Sequence, residues 1–297
     1  MMEVFVTGAT GYIGTAVCDA LQAAGHDVVG LARSDESADR LRSAGRSVVR
    51  GNLSDLESLA EPARDAGAVI HLALAEGGDA GELDRGAVEA LIAELEGSGQ
   101  TFVYTSGCWV LGDTGEEVAD EESERAPVDL VAWRRELEPA VLDASARDVG
   151  TVVIRPAMVY GRGGGIPGML VEEAGSTGRV RVVERGLQEW PMVHADDLAD
   201  LYVRALDAAA GSLYQAAHGP SYRARDVALG ACLAAGEDPS VEHWPLDEAR
   251  EELGGFADAL ALSQRMSAAK AREELGWDPG GATLLEELVS GSYAADA

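Results

Sequence analysis

The stretch Val4-Phe5-Val6-Thr7-Gly8-Ala9-Thr10-Gly11-Tyr12-Ile13-Gly14 decides how the rest of the chain reads. Its apolar start predicts a buried strand. Three glycines follow at three-residue spacing, and Thr15 to Ala24 predicts a helix with Val17, Leu21 and Ala24 on one stripe. In such a turn Gly8 permits the tight bend, Gly11 lets backbone approach a pyrophosphate, and Gly14 lets helix and strand sit close. The helix N-terminus adds free N–H groups and a positive dipole end. A bare glycine triplet is also compatible with an ordinary strand-to-helix turn. Its placement between strand and helix is what points to a dinucleotide.

Outward from this stretch, strand and helix alternate. Strands are predicted at 27–32, 47–50, 68–72, 100–105 and 151–155, and helices at 35–44, 54–66, 81–96 and 130–147. In the 54–66 helix, Ser54 reads as N-cap with Glu57 completing a capping box. Repeated units of this length predict a Rossmann-type doubly wound parallel sheet with helices on both faces, an α/β fold. We divide the chain into a dinucleotide-binding domain, residues 1–157 with 193–218 returning to it, and a smaller substrate lobe, residues 158–192 and 219–297. Glu116 to Glu124 reads as a solvated acidic loop, and Gly161 to Gly168 as a flexible glycine-rich loop over the substrate cleft.

Composition narrows the function classes. The 297 residues carry 52 acidic against 23 basic side chains, net −29, and Lys270 is the sole lysine. Such a field repels nucleic acid and anionic membranes, and its self-repulsion favours a salt-rich cytoplasm over the alternative of a moderately acidic mesophilic protein. The expected partner is a small-molecule substrate, with no nucleic acid and no membrane. No apolar run is long enough to span a bilayer, and no signal segment is read before the first strand. Cys18, Cys108 and Cys232 lack metal spacing and read as free thiols of a reducing compartment. No metal site is expected.

With these residues placed, the chain resembles the extended short-chain dehydrogenase/reductases, which include nucleotide-sugar epimerases and dehydratases. Besides the glycine stretch, the marks are Gly51-Asn52-Leu53-Ser54-Asp55, His71-Leu72-Ala73, Tyr104-Thr105-Ser106-Gly107, Arg155-Pro156-Ala157-Met158-Val159-Tyr160-Gly161 and Val193-His194-Ala195-Asp196-Asp197-Leu198-Ala199. The resemblance implies a cofactor set of Gly8, Thr10, Gly11, Tyr12, Ile13, Gly14, Arg33, Asn52, Leu53, Leu72, Ala73, Leu74, Thr105, Arg134, Pro156 and Met158. Asn52 and Leu53 would lie along adenine, Leu72 to Leu74 beside ribose and nicotinamide, and Pro156 and Met158 at the nicotinamide ring. At the end of the second strand stand Ala32, Arg33 and Ser34 rather than an acidic residue. A guanidinium there suits a 2′-phosphate, so NADP(H) is favoured over NAD(H), with Asp35 as the residue able to reverse this.

The resemblance breaks at the catalytic pair. The family's tyrosine is followed four residues later by a lysine, and no tyrosine of this chain has one. Alignment puts Leu130 at the tyrosine and Arg134 at the lysine. Arginine cannot shuttle protons at neutral pH but can hold ribose or phosphate. The catalytic candidates are Ser106, Tyr160 and Arg134, with Cys108, His194 or water as other proton sources. Three readings stay open: an atypical oxidoreductase or epimerase/dehydratase acting on a small carbonyl, alcohol or sugar-type substrate, a dinucleotide-binding sensor without turnover, and a lyase or isomerase using the same cleft. Family members often pair through the helices read here at 81–96 and 130–147. A homodimer is therefore one expectation, although the stripe Leu130, Trp133, Leu137 and Val141 also fits a sheet-facing side.

Overall fold

The computed structural model describes residues 1–75 and 79–295. Its centre is a seven-stranded sheet built from β1 (Glu3–Thr7), β2 (Asp27–Ala32), β3 (Ser47–Arg50), β4 (Ala68–His71), β5 (Thr101–Thr105), β6 (Gly150–Pro156) and β7 (Ser212–Ala216). The spatial order is β3-β2-β1-β4-β5-β6-β7, with every neighbouring pair parallel. Strand order reverses between β1 and β4, and that is where an open α/β sheet leaves a crevice.

Alternation along the strands sends side chains to two cores. Val4 and Val6 of β1, Val103 of β5 and Ile154 of β6 join a cluster with α1 (Tyr12–Ala23) and α2 (Asp35–Ser43). Phe5, Phe102, Tyr104 and Val153 point the other way, toward α3 (Glu57–Asp65), α4 (Ala80–Leu95) and α5 (Arg134–Asp143). The same parity puts Thr7, His71 and Arg155 on the α4–α5 side. Arg155 uses it to clamp α5. Its Nε and Nη2 donate to Glu138 Oε1 and Oε2 at 2.9 and 2.6 Å, with both side chains solvent-free. This two-pronged pair fixes the helix that carries Arg134.

The chain beyond β6 alternates between the sheet and a second set of cores. Helices α6 (Gly165–Thr177) and α8 (Ala224–Ala234) flank Val180–Val183, which pairs in parallel with Val241–Trp244. Between them, α7 (Ala195–Ala205) packs on the α1 side of the sheet.

Several local expectations change. Ser54 caps nothing: α3 starts at Glu57, and Asn52 Oδ1 instead accepts from the Ser54 and Asp55 backbone N–H groups. The capping boxes lie at Ser34 with Ser37 and at Thr283 with Glu286. The 130–147 segment is two short 3-10 turns flanking α5. The acidic loop is not wholly solvated. Val118–Ala119 pairs with Arg265–Met266, and Glu121 accepts from the Gln215 backbone N–H at 2.8 Å. The glycine-rich loop is pinned rather than free. The Tyr12 ring lies where a Cβ of Gly164 would be, its hydroxyl donates to Gly161 O at 2.8 Å, and Tyr293 donates to Gly164 O at 2.7 Å. No helix among the described residues is long and apolar enough to cross a membrane.

Candidate functional site

The crevice at the β1/β4 switch holds a cavity of about 560 Å³. One strand end after another contributes to it: Gly8, Thr10 and Gly11 after β1, Leu31 and Arg33 at β2, Gly51 to Ser54 after β3, and Leu72 to Ala75 after β4. The glycines are required by space. Gly8 has φ +70°, and a Cβ there would come within 2.7 Å of the Leu72–Ala73 backbone. Gly11 faces open room, its added Cβ meeting nothing closer than Gly8 O at 3.2 Å.

Gly11 is also the N-cap of α1 and has no capping side chain. The first backbone bond of α1 runs from Thr15 N–H to Gly11 O at 2.9 Å. The N–H groups of Tyr12, Ile13 and Gly14 are left outside the helix ladder. A glycine cradle, three free N–H donors and the dipole end fit a pyrophosphate.

At the cavity's outer end stand Arg33 and Ser37, with no carboxylate among the described lining residues. Asp35 turns away: its side chain is 98% exposed and pairs with Arg50 at 3.2 Å. Arg40 donates to the Thr10 carbonyl at 2.9 Å, bringing a second guanidinium beside the turn. Sequence reading missed Leu31, Ser37, Gly51, Ser54, Ala75 and Leu83 as wall. Only the small-residue turn at Gly51 could have signalled one of them.

The structure gathers Gly8, Thr10, Gly11, Arg33, Asn52, Leu53, Leu72, Ala73 and Leu74 on this cavity. Tyr12, Ile13 and Gly14 contribute backbone from the helix start, the Tyr12 side chain being turned to the glycine-rich loop. Thr105, Ser106, Arg134, Pro156 and Met158 lie outside the cavity walls, at the carboxyl ends of β5 and β6 and the start of α5. Thr105 Oγ1 is 2.7 Å from the buried Tyr202 hydroxyl of α7. Pro156 and Met158 are buried, Met158 packing with Tyr160 and Trp190.

Ser106 and Arg134, like His26, Trp109, Arg155, Gln215 and Gln264, carry a buried polar atom without a partner among the described residues. Ser106 is 4% exposed, and its Oγ has no hydrogen-bond partner among the described residues. Arg134 Nε is likewise buried and unpartnered, no carboxylate pairs with the guanidinium there, and Nη1 lies 3.2 Å from where a Cβ of Gly107 would stand. Buried polar atoms without partners are rare and mark places where a ligand or water belongs.

Tyr160 is not brought into this arrangement. It is 2% exposed, its hydroxyl donates to Ala282 O at 2.8 Å, and its ring meets His194 edge-on. Burial, with nearby Tyr222, Asp197 and Glu287, holds its pKa well above the usual range. In this arrangement the Tyr160 hydroxyl is engaged by a backbone carbonyl and the ring packs in the core around Trp190 and Met192. His194 is similarly occupied, its Nδ1 accepting from the Asp196 N–H. Burial pushes the Cys108 thiol up to about 12. Arg162, Arg179 and Arg181 are all ion-paired.

Between the cavity and Arg134 runs a buried polar chain that sequence reading did not find. Thr7 Oγ1 accepts from the Leu72 and Ala73 N–H groups, both at 3.2 Å. The Leu72 N–H also reaches the Thr7 carbonyl at 3.2 Å, and with a neutral His71 giving its Nε2–H to Asp84, the Thr7 hydroxyl donates to the bare Nδ1 at 2.8 Å. His71 Nε2–H donates to Asp84 Oδ1 at 3.0 Å, while Tyr104 and the Trp133 indole donate to Asp84 Oδ2 at 2.7 and 2.8 Å. Burial alone would raise the Asp84 carboxyl. The hydrogen bond and electrostatic attraction of His71, then the hydrogen bonds from Trp133 and Tyr104, outweigh it and hold the pKa below the usual carboxylate value.

The model of the NAD dependent epimerase/dehydratase family matches residues 4–217. An uncharacterised protein of Schizosaccharomyces pombe is 32% identical, the match covering 98% of this chain and 100% of that one. The 2-alkyl-3-oxoalkanoate reductase of Stenotrophomonas maltophilia is 27% identical over 94% of this chain and 95% of its own. The fold is that of the Thermus thermophilus UDP-glucose 4-epimerase in complex with NAD, with TM-score 0.81 at 21% identity over 99% of this chain and 100% of the other.

Proposed function

This chain belongs to the NAD dependent epimerase/dehydratase family, and on that premise we propose that it is an oxidoreductase that takes NADP(H) in preference to NAD(H) and acts on a small carbonyl, alcohol or sugar-type substrate. The observation that carries the catalytic part is the unpartnered pair, the buried Ser106 hydroxyl and the Arg134 guanidinium. When bound, the dinucleotide supplies or accepts the hydride. Arg134 then does what a cation can do without a proton to give: its N–H groups steady negative charge developing on the substrate oxygen. Ser106 holds that oxygen by a hydrogen bond, and water completes the proton transfer. Preference for the 2′-phosphate rests on Arg33 and Ser37 at the cavity rim, with Asp35 held away by Arg50. The Stenotrophomonas relative, a reductase of 3-oxoalkanoates by name, supports a ketone as the group reduced.

A sensor without turnover is the second reading. It is favoured by Leu130 standing where the family's general acid is expected. Titration with NADPH and NADH, followed by a panel of ketones, aldehydes and sugar nucleotides monitored by loss of reduced-cofactor absorbance, separates the two. Turnover on a ketone supports the enzyme, tight binding with an inert panel supports the sensor, and no binding of either dinucleotide overturns both. The acid coat and the buried thiols suit a salt-rich, reducing cytoplasm.

A further inference from the structure

We propose that Asp84 is a positioning residue that couples occupancy of the dinucleotide cavity to the placement of Arg134. The inference rests on the cofactor reading above and goes beyond it. At one end of the buried chain, Leu72 and Ala73 line the cavity while their N–H groups rest on Thr7 Oγ1. At the other end, Asp84 holds the Trp133 indole, the residue immediately before Arg134. Every link between is a hydrogen bond of 3.0 Å or less, Thr7 to His71, His71 to Asp84 and Asp84 to Trp133. Thr7, His71 and Asp84 are each 2% exposed or less, so water does not offer competing partners.

Asp84 is the only member of the chain that accepts from both sides. Its carboxylate receives His71 on one oxygen and Tyr104 and Trp133 on the other. A neutral amide cannot reproduce this. In Asp84→Asn one oxygen still serves Trp133 and Tyr104, but the amide N–H₂ meets the His71 Nε2–H, donor against donor. A tautomer switch of His71 to relieve the clash would require Thr7 Oγ1 to release one of the two N–H groups it accepts, leaving the Leu72 N–H on the Thr7 carbonyl alone, and so would itself disturb the cavity-wall end of the chain. A shift of the Leu72–Ala73 backbone around a bound ligand therefore moves Thr7, turns the His71 ring, and is passed through Asp84 to Trp133 and the first turn of α5.

The test uses a probe that fills the cavity yet lacks the nicotinamide, 2′-phospho-ADP-ribose. Binding is followed by the indole N–H resonance of Trp133 in 1H–15N spectra of the full chain, assigned with Trp133→Phe. At saturating probe the wild-type Trp133 resonance shifts. Thr7→Ser keeps the shift because it keeps the hydroxyl, whereas Thr7→Val and Asp84→Asn, checked as folded by thermal melts, bind the probe but lose it. A Trp133 shift of wild-type size in folded Thr7→Val or Asp84→Asn overturns the coupling, as does a silent Trp133 in wild type while the Gly8 to Gly14 amides respond. If those amides also stay silent in wild type, the cofactor reading itself falls and takes the coupling with it. Because Thr7→Val and Asp84→Asn break different links, loss of folding in one leaves the other to decide.

Discussion

A Cβ on Gly14 would stand 2.0 Å from the carbonyl oxygen of Gly8. The first turn of α1 is laid directly on the bend that ends β1, and backbone oxygen cannot step aside as a flexible side chain can. Gly14→Ala is therefore expected to act as overpacking, costing about 1–3 kcal/mol and lowering the melting temperature by several degrees. Gly11→Ala meets the same oxygen only at 3.2 Å and otherwise faces the cavity. It should melt close to wild type and lose dinucleotide affinity instead. Thermal melts beside NADPH titrations check both, and a Gly14→Ala protein as stable as wild type refutes the contact.

Arg33 lies on the cavity wall without a carboxylate among the described lining residues, and Asp35 is engaged by Arg50. A charge-assisted hydrogen bond to a 2′-phosphate contributes about 1.5–3 kcal/mol, or roughly 10- to 150-fold in affinity. Arg33→Ser should weaken NADPH by that order and leave NADH within about twofold, since only the phosphate partner is lost. Equal losses for both dinucleotides, measured by fluorescence titration, would show that Arg33 does not read the phosphate.

These two sites differ in how openly the sequence displays them. The glycine turn is legible because its geometry is local: three residues at fixed spacing, each excluding a side chain for its own steric reason. The buried strand is legible too, since Val4, Phe5 and Val6 form an unbroken apolar run, and the structure divides them between the two cores. The polar chain is not, because Thr7, His71, Asp84, Tyr104 and Trp133 meet only once β1, β4, β5, α4 and α5 are assembled. Asp84 on a helix reads as one more surface acid in a chain rich in them. The surroundings of Tyr160 are hidden for the same reason, its hydroxyl donating to Ala282, 122 residues later. Ser54 misleads locally: Asn52, two residues before it, takes the Ser54 N–H that a capping box would have served, and the Asp55 N–H as well.

Arg134 has no carboxylate partner among the described residues and an unpartnered Nε, so it contributes little to holding the fold together. Its removal should separate function from stability. Arg134→Ala is expected to lower turnover by about 10²–10³, the usual loss for a donor that stabilises developing oxyanion charge, with a melting temperature at or above that of wild type. Arg134→Lys should recover part of the rate by restoring a cation. Ser106→Ala should lower turnover with little change in NADPH affinity. Steady-state kinetics on a ketone found in the substrate panel, beside melts of each variant, test this; an unchanged rate in Arg134→Ala removes it from the mechanism.

Net charge of −29 is spread over a small globule, and opposing effects of salt must be weighed. Screening weakens exposed pairs such as Arg42 with Asp39 and Arg250 with Asp247, but such pairs contribute about 0–1 kcal/mol each. It also removes long-range repulsion among the excess carboxylates, as the Debye length falls from about 10 Å at 0.1 M to about 3 Å at 1 M. The second effect involves many more charges and should win. The melting temperature is expected to rise steadily from dilute buffer to molar KCl, and a flat or falling curve refutes the reading of an acid coat suited to high salt.

Asp84 gives a pH signature that can be isolated from the other carboxylates by subtraction. Its hydrogen bonds lower its pKa in the folded protein below the unfolded value, near 3.9 for a free aspartate. A group with a depressed folded pKa binds more protons unfolded than folded as pH drops, so its contribution is complete above the unfolded pKa and is lost as pH falls through the folded one. Asp84→Asn carries no such proton. The stability gap between wild type and Asp84→Asn, read from denaturant unfolding at fixed high salt, should be constant between about pH 6 and 8 and narrow below about pH 4. A gap that widens on acidification would mean that Asp84 is protonated in the folded state, and that His71 and Trp133 do not both donate to it.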